Sequence, residues 1–370
     1  RRVLFRSNNR IFYACQGVAI GSEGLGTYAV ANMVHGVQSV GITTNFNLEQ
    51  AFELGQIEIY ENIEGTPDVE ITLEKVLDGY PLMYHMASTG VTGTSASGLV
   101  ARSKQKCDLR LGIFDESNNA ISSSSTAEVE VYCSGLFISN ISYTIPVDGN
   151  ATESITLVGN NKQWLTTGQK LTSTQYSEFN GSDAPRAYAV GSGGIQRRED
   201  VMMNRCVFPK SIKGVSGSTY GNAAVGGTGV PLIHVQNITI STDFNREDIL
   251  ELGRKTPYYR PAGFPIEVTC EIEAISTSGD FVNALEVGDS SLYSTASSGN
   301  NTQEETIYIE TRCKYAWDLG KKNRLTSVSY GGGDAGGGNV SCTYSYSNFN
   351  VLDVQHSGVV NNASNFGQLA

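Results

Sequence analysis

The chain carries 370 residues, with 37 acidic against 26 basic side chains and a formal net charge of −11. Its length exceeds that of a usual compact domain, so two domains are expected, each long enough to bury a core. The acidic balance, with a sequence pI near 4.9, argues against a protein that grips nucleic acid by neutralising phosphates, because that needs clustered Lys and Arg.

Short runs that alternate apolar and polar residues, separated by Gly, Asn, Ser and Pro clusters, predict a mainly β chain. In the first half they fall at 37–43, 69–76, 127–133, 138–145 and 154–158. Alternation puts Val69, Ile71, Leu73 and Lys75 on one face and Glu70, Thr72, Glu74 and Val76 on the other. Between the first two runs lies FNLEQAFELG, from Phe46 to Gly55. Asn47 suits a helix N-cap and Gly55 a helix end, so two helical turns or a tight loop between strands is expected. A polar, Gly/Ser-rich stretch over 166–200 reads as a linker or long arm. The second half offers strands at 235–242, 266–275, 306–313, 325–330 and 340–346, with GGGDAGGG at 331–338 as a hairpin tip.

The phrase returns as FNREDILELG, from Phe244 to Gly253, and the ungapped stretches 37–55 and 235–253 share ten of nineteen residues. After a one-residue slip, TPDVEITLE from Thr66 answers FPIEVTCE from Phe264. Farther on, SNISYTIPVDGNATESIT from Ser139 answers TSVSYGGGDAGGGNVSCT from Thr326. So long a period implies two whole domains rather than a solenoid. The expected division is 1–165, a linker or arm over 166–203, and 204–370.

Catalytic chemistry is not legible. His35, His85, His234 and His356 form no metal-ligand spacing, and no nucleophile elbow or phosphate loop occurs. His35 and His234 nearly coincide across the repeats, which favours a structural role for both. The seven cysteines, at 15, 107, 133, 206, 270, 313 and 342, include no Cys-x-x-Cys pair, so reduced thiols are expected. No stretch has the roughly 18 consecutive apolar residues of a membrane-spanning helix, and none reads as a signal peptide. The basic cluster of Arg102, Lys104, Lys106 and Arg110 and the KKNR at 321–324 read as solvated loops or contacts with a neighbouring subunit. The reading is of a soluble, non-enzymatic chain without cofactor or metal.

The series VQSVGITTNFNLEQAFELG and VQNITISTDFNREDILELG, each followed by a Tyr/Pro-containing loop and an alternating strand, resembles the core of tail tube proteins of tailed bacteriophages. The resemblance implies two tandem β-sandwich or barrel domains, each with one short helix and long hairpins that join neighbouring subunits around a lumen. It implies a structural virion protein of the tail, assembled in the host cytoplasm, whose stacked rings conduct DNA without binding it specifically. Three duplicated chains in place of six single domains give a homotrimeric, pseudo-hexameric ring. Sheath, tape-measure and tail-terminator proteins are the implied partners.

The residues expected to touch other subunits or rings are Phe46, Asn47, Glu53, Gly55, Tyr60 and Glu61 in the first copy. In the second they are Phe244, Asn245, Glu251, Gly253, Arg254, Lys255, Tyr258 and Tyr259. The loop 56–67 is acidic and the loop 254–265 basic and aromatic, so complementary contacts between rings are expected. Glu70, Glu74, Glu128, Glu130, Glu267 and Glu271 face either the lumen or a neighbouring domain. The alternative is another tandem β-sandwich virion protein, such as a distal tail, decoration or carbohydrate-binding module.

Overall fold

The computed structural model describes residues 11, 13–23, 32–88, 98–114, 127–165, 194–203, 205–209, 211–212, 234–276, 279–280, 282, 304–312, 315–332 and 338–355. Most of the expected linker, the centre of the Gly-rich hairpin tip, Cys313 and His356 lie outside the described residues.

The first half holds β1 (Gln16–Ser22), β2 (Asn32–Met33), β3 (Val37–Asn45), β4 (Leu48–Phe52), β5 (Ile59–Glu64) and β6 (Asp68–Val76). It continues with the helices α1 (Met83–Ser88) and α2 (Leu99–Arg102), then β7 (Cys107–Ile113), β8 (Val129–Pro146), β9 (Thr152–Gly159) and β10 (Asn161–Leu165). The second half holds β11 (His234–Asp243), β12 (Glu267–Ile275), β13 (Tyr308–Glu310), β14 (Ala316–Asp318), β15 (Arg324–Gly331), β16 (Ser341–Phe349) and β17 (Asp353–Gln355). The protein is mainly β and antiparallel, as the alternation predicts.

Its backbone is a continuous sheet in the order β3-β6-β9-β8-β11-β12-β16-β15. Two quartets of strands with the same connectivity lie side by side in it. β3 and β11 are equivalent, as are β6 and β12, β9 and β16, and β8 and β15. The first bulge of each quartet falls between Val37 and Ser39 and between Val235 and Asn237. The second falls between Ile138 and Asn140 and between Leu325 and Ser327. Bulges interrupt pairing at chosen places and hold the register on either side, so the two quartets agree residue by residue.

One face of this sheet is apolar. Val69, Ile71 and Leu73 on β6, Ile141 and Tyr143 on β8, Ile155 and Leu157 on β9, Ile238 and Ile240 on β11, and Val268, Cys270 and Ile272 on β12 are buried there. Sandwich-like layers cover it. β8 is 18 residues long and leaves the large sheet near Gly135, whose φ of +65° suits glycine. Its first part pairs with β7 and β10, and β7 carries β1 and β2. α1 is wholly buried between the layers. On the other quartet lies the small sheet β13-β14-β17, whose Trp317 meets the ring of Tyr143 at 5.4 Å.

Lys75 lies on the apolar face as the alternation predicts, fully buried, donating to the Pro81 carbonyl at 2.9 Å and pairing with Asp78 at 3.4 Å. Val76, expected opposite, is buried as well, because the strand ends there and the chain turns inward. Beside Lys75, Glu153 accepts the amides of Met83 and Tyr84 at 2.7 and 3.0 Å and the Tyr143 hydroxyl at 3.2 Å. Burial raises the Glu153 carboxyl above its ordinary range, opposed by Lys75 and these donors. Burial also lifts the thiols of Cys133, Cys206 and Cys270 to about 12, which keeps them protonated and unreactive. The basic residues expected in solvated loops differ: Arg102 is buried, and Arg110 pairs with buried Glu130 at 2.9 Å. Glu130 therefore faces neither a lumen nor a neighbour.

Glu153→Ala removes the acceptor for two helix amides and the counter-charge beside Lys75, and should cost about 3 kcal/mol or more in denaturant unfolding. Glu70→Ala, on the polar face of the same sheet, should stay within about 0.5 kcal/mol.

Candidate functional site

The repeated phrase is not a helix. In the first quartet β4 and β5 form a hairpin, with Ala51 opposite Glu61. In the second, Ile249 bridges Tyr259 at the equivalent positions. Asn47 and Asn245 take φ of +46° and +42°, and Gly55 and Gly253 take +98° and +89°. These are left-handed conformations that Asn and Gly reach at low cost and other residues do not. The amide of Asn47 donates to Asn45 Oδ1 at 3.2 Å, and that of Asn245 to Asp243 Oδ1 at 2.9 Å. A Cβ on Gly263 would sit 2.9 Å from the Asn245 carbonyl, and one on Gly65 would strike Asn47 in the same way. The N-cap expectation fails because an N-cap takes extended backbone, whereas both asparagines fix the mouth of a hairpin.

The two hairpins differ in what surrounds them. The second packs against the first quartet where β8 meets β11. Seven consecutive residue pairs run across that seam, from Asn140 opposite Asp243 to Pro146 opposite Asn237. Next to them, the Phe244 amide donates to the Ser139 carbonyl at 2.8 Å. Tyr259 stands edge-on to Phe137, ring centroids 5.8 Å apart. The Arg246 guanidinium lies 5.0 Å from the Phe137 ring and donates to the carbonyls of Ile138 and Ser103 at 2.9 and 2.6 Å. Burial lowers its pKa to about 10. Arg260 pairs with Asp68 of the first quartet at 2.8 Å and with Asp248 of its own loop at 2.6 Å. Lys255 lies 3.8 Å from Glu64, and the Thr66 hydroxyl donates to the Lys255 carbonyl.

The opposite charges of the loops therefore meet side by side within one chain. Phe244 is 0% exposed while its equivalent Phe46 is 63% exposed. Phe244 is thus buried in a joint inside the chain, and Tyr259 is half-buried in the same joint. Asn47 is committed to its own loop, donating to Thr66 and Asp68 at 2.9 and 2.6 Å. Glu251 pairs with Arg254 at 3.1 Å, and that guanidinium lies over the Tyr258 ring at 5.8 Å. Phe46, Glu53, Gly55, Tyr60, Glu61, Glu251, Gly253, Arg254, Lys255 and Tyr258 remain exposed. Leu54 and Leu252 project fully from the two hairpin tips.

The sequence did not single out the ends of the sheet. Among the described residues, β3 pairs on one side only, with β6, and β15 on one side only, with β16. Both are more exposed than their equivalents β11 and β8 in the middle. The face opposite the apolar one is polar. It presents Glu70, Thr72 and Glu74, Ser154 and Thr156, Ser142 and Thr144, Glu267, Thr269 and Glu271, and Thr343 and Ser345 in cross-strand register. Among the described residues of its eight strands the cation on this face is Arg324, at the β15 edge, while Arg246 and Lys106 stand over Phe137 on the same side. No group of three or more His, Cys, Asp or Glu able to hold a metal occurs among the described residues.

No family model and no curated protein matches the chain. Among solved structures it is similar to a chain in the tube-terminating cap of the anti-feeding prophage, with 17% identity and a TM-score of 0.30, covering 43% of this chain and 92% of that one. A chain in the extended sheath–tube complex of an extracellular contractile injection system shows 13% identity and a TM-score of 0.30, with 44% and 95% coverage. A third, in the baseplate of the anti-feeding prophage, shows 10% identity, a TM-score of 0.28, and 42% and 95% coverage. Similarity at this level defines neither fold nor role.

Phe244→Ala should destabilise the isolated chain by about 3 kcal/mol or more in denaturant unfolding, through the cavity it leaves in the seam. Phe46→Ala at the equivalent exposed site should change it by no more than about 0.5 kcal/mol.

Proposed function

We propose that the chain is a structural, non-catalytic subunit of a phage-like tail tube, built by tandem duplication of one tube domain. In this reading residues 1–165 and 204–370 are the two domains and 166–203 joins them. Three chains close a pseudo-hexameric ring, and stacked rings form a conduit for DNA in a virion tail. The observation that carries the reading is the pair of matching quartets, because the two ends of the sheet repeat the two halves of its middle. Edges of that kind invite pairing with sibling chains, and only closure leaves none exposed.

The dimensions agree with such a conduit. Three chains with eight strands each supply twenty-four, and a strand spacing of about 4.8 Å gives a circumference near 115 Å and a backbone diameter near 37 Å. With the polar face inward, the bore presents carboxylates and hydroxyls that repel phosphates and let a duplex slide. The covered apolar face then lies outward. Sheath, tape-measure and terminator proteins as partners follow from the sequence resemblance.

Negative-stain electron microscopy of the purified chain should show rings with a central opening, alone or stacked into hollow filaments. Particles that remain single chains at all concentrations overturn the reading. Tubes of the double variant Glu74→Lys, Glu271→Lys should retain short duplex DNA at low salt and release it as salt rises, whereas wild-type tubes should not retain it.

A further inference from the structure

The seam between β8 and β11 is a template for a contact that the chain itself does not make. Register equivalence places the two halves of a second seam at opposite ends of the sheet. β3 stands where β11 stands, and β15 where β8 stands. Carrying the internal pairs across sets Ser327 opposite Asn45, Val328 opposite Thr44, Ser329 opposite Thr43, Tyr330 opposite Ile42 and Gly331 opposite Gly41. Phe46 takes the place of Phe244, and its amide meets the Thr326 carbonyl as Phe244 meets Ser139.

The chemistry around the two seams differs in one informative respect. Inside the chain the strand contributes Phe137, and the hairpin contributes Arg246 and Tyr259. The equivalents at the free ends are Arg324 on the strand and Leu48 and Glu61 on the hairpin. The cation has moved from hairpin to strand, and the hairpin has gained a carboxylate. Arg324 is exposed and among the described residues reaches Glu304, at 3.9 Å, a separation that contributes little between solvated groups. Glu61 is exposed on β5.

Resting on the proposed ring, we infer that β15 of one chain pairs with β3 of a second copy in this register, and that an Arg324–Glu61 ion pair across the joint determines which edges mate. A wrong joint that set the hairpin of β11 on β15 would bring Arg246 against Arg324. One that set the hairpin of β3 on β8 would put Glu61 beside the apolar Phe137. Both are disfavoured by like charge or by an unpaired carboxylate at an apolar surface, so the internal and external seams do not exchange partners.

The test uses the full chain. Glu61→Arg and Arg324→Glu, each alone, should lower the assembled fraction in sedimentation about ten-fold or more at physiological salt. The double variant should restore it, and all three should keep the wild-type melting curve when dissociated. A second measurement fixes the register: Ser329→Cys with Thr43→Cys should cross-link between chains on oxidation, and Ser329→Cys with Thr44→Cys should not, because adjacent residues face opposite ways. Wild-type rings with single variants that assemble equally well, or with the cross-links reversed, overturn the joint and leave the tube standing. A wild-type chain that never assembles overturns both.

Discussion

Backbone hydrogen bonding across the β8·β11 seam is the constraint on which the rest depends. A strand inside a sheet has both rows of amides and carbonyls satisfied, whereas an edge strand leaves one row to water or to another chain. By joining the last strand of one quartet to the first of the next, the chain turns two potential edges into an interior and leaves two behind. The burial of Phe244, the packing of Tyr259 on Phe137 and the reach of Arg246 to the Ile138 carbonyl all follow from that juxtaposition. Phe46 is exposed for the same reason read in reverse, since among the described residues the strand before it has no neighbour on that side.

The two quartets keep one backbone frame and fill it differently. In the first, Lys75 and Glu153 occupy the apolar face, and the carboxylate holds the start of α1. At the equivalent positions of the second stand Ala274 and Cys342, both buried. A buried charged group costs desolvation and is retained where its hydrogen bonds fix a structure, and here Glu153 fixes the helix amides above it. Tyr143 is buried beside Glu153, while its equivalent Tyr330 lies on the open edge strand β15. Position in the assembled sheet, more than residue type, decides which of two tyrosines is core.

The hairpins follow the same rule. Asn47 with Gly55 and Asn245 with Gly253 preserve the left-handed turns that shape both loops, so the backbone is invariant. The side chains between them diverge from acidic to basic. Arg260 and Asp68, and more loosely Lys255 and Glu64, then hold the loops together laterally. Charge complementarity between equivalent loops thus acts within the chain.

Much of this was legible in the residues themselves. Alternation fixed the strand faces from Val69 to Lys75, because side chains on a strand point to opposite sides in turn. The repeated Asn and Gly marked positions where backbone geometry restricts the residue, and the one-residue slip before Val268 followed the change in spacing between the two quartets. Other features were not local. FNLEQAFELG carries the signals of a helix cap, and only the opposing segment at Ile59–Glu64 made it a hairpin. Nor could identical phenylalanines, Phe46 and Phe244, reveal that one is core and the other surface. The sequence by itself determined the strand pattern and the repeat, since both are set by neighbouring residues along the chain. The tertiary structure alone decided which repeat is covered, because burial depends on the strand that lies alongside.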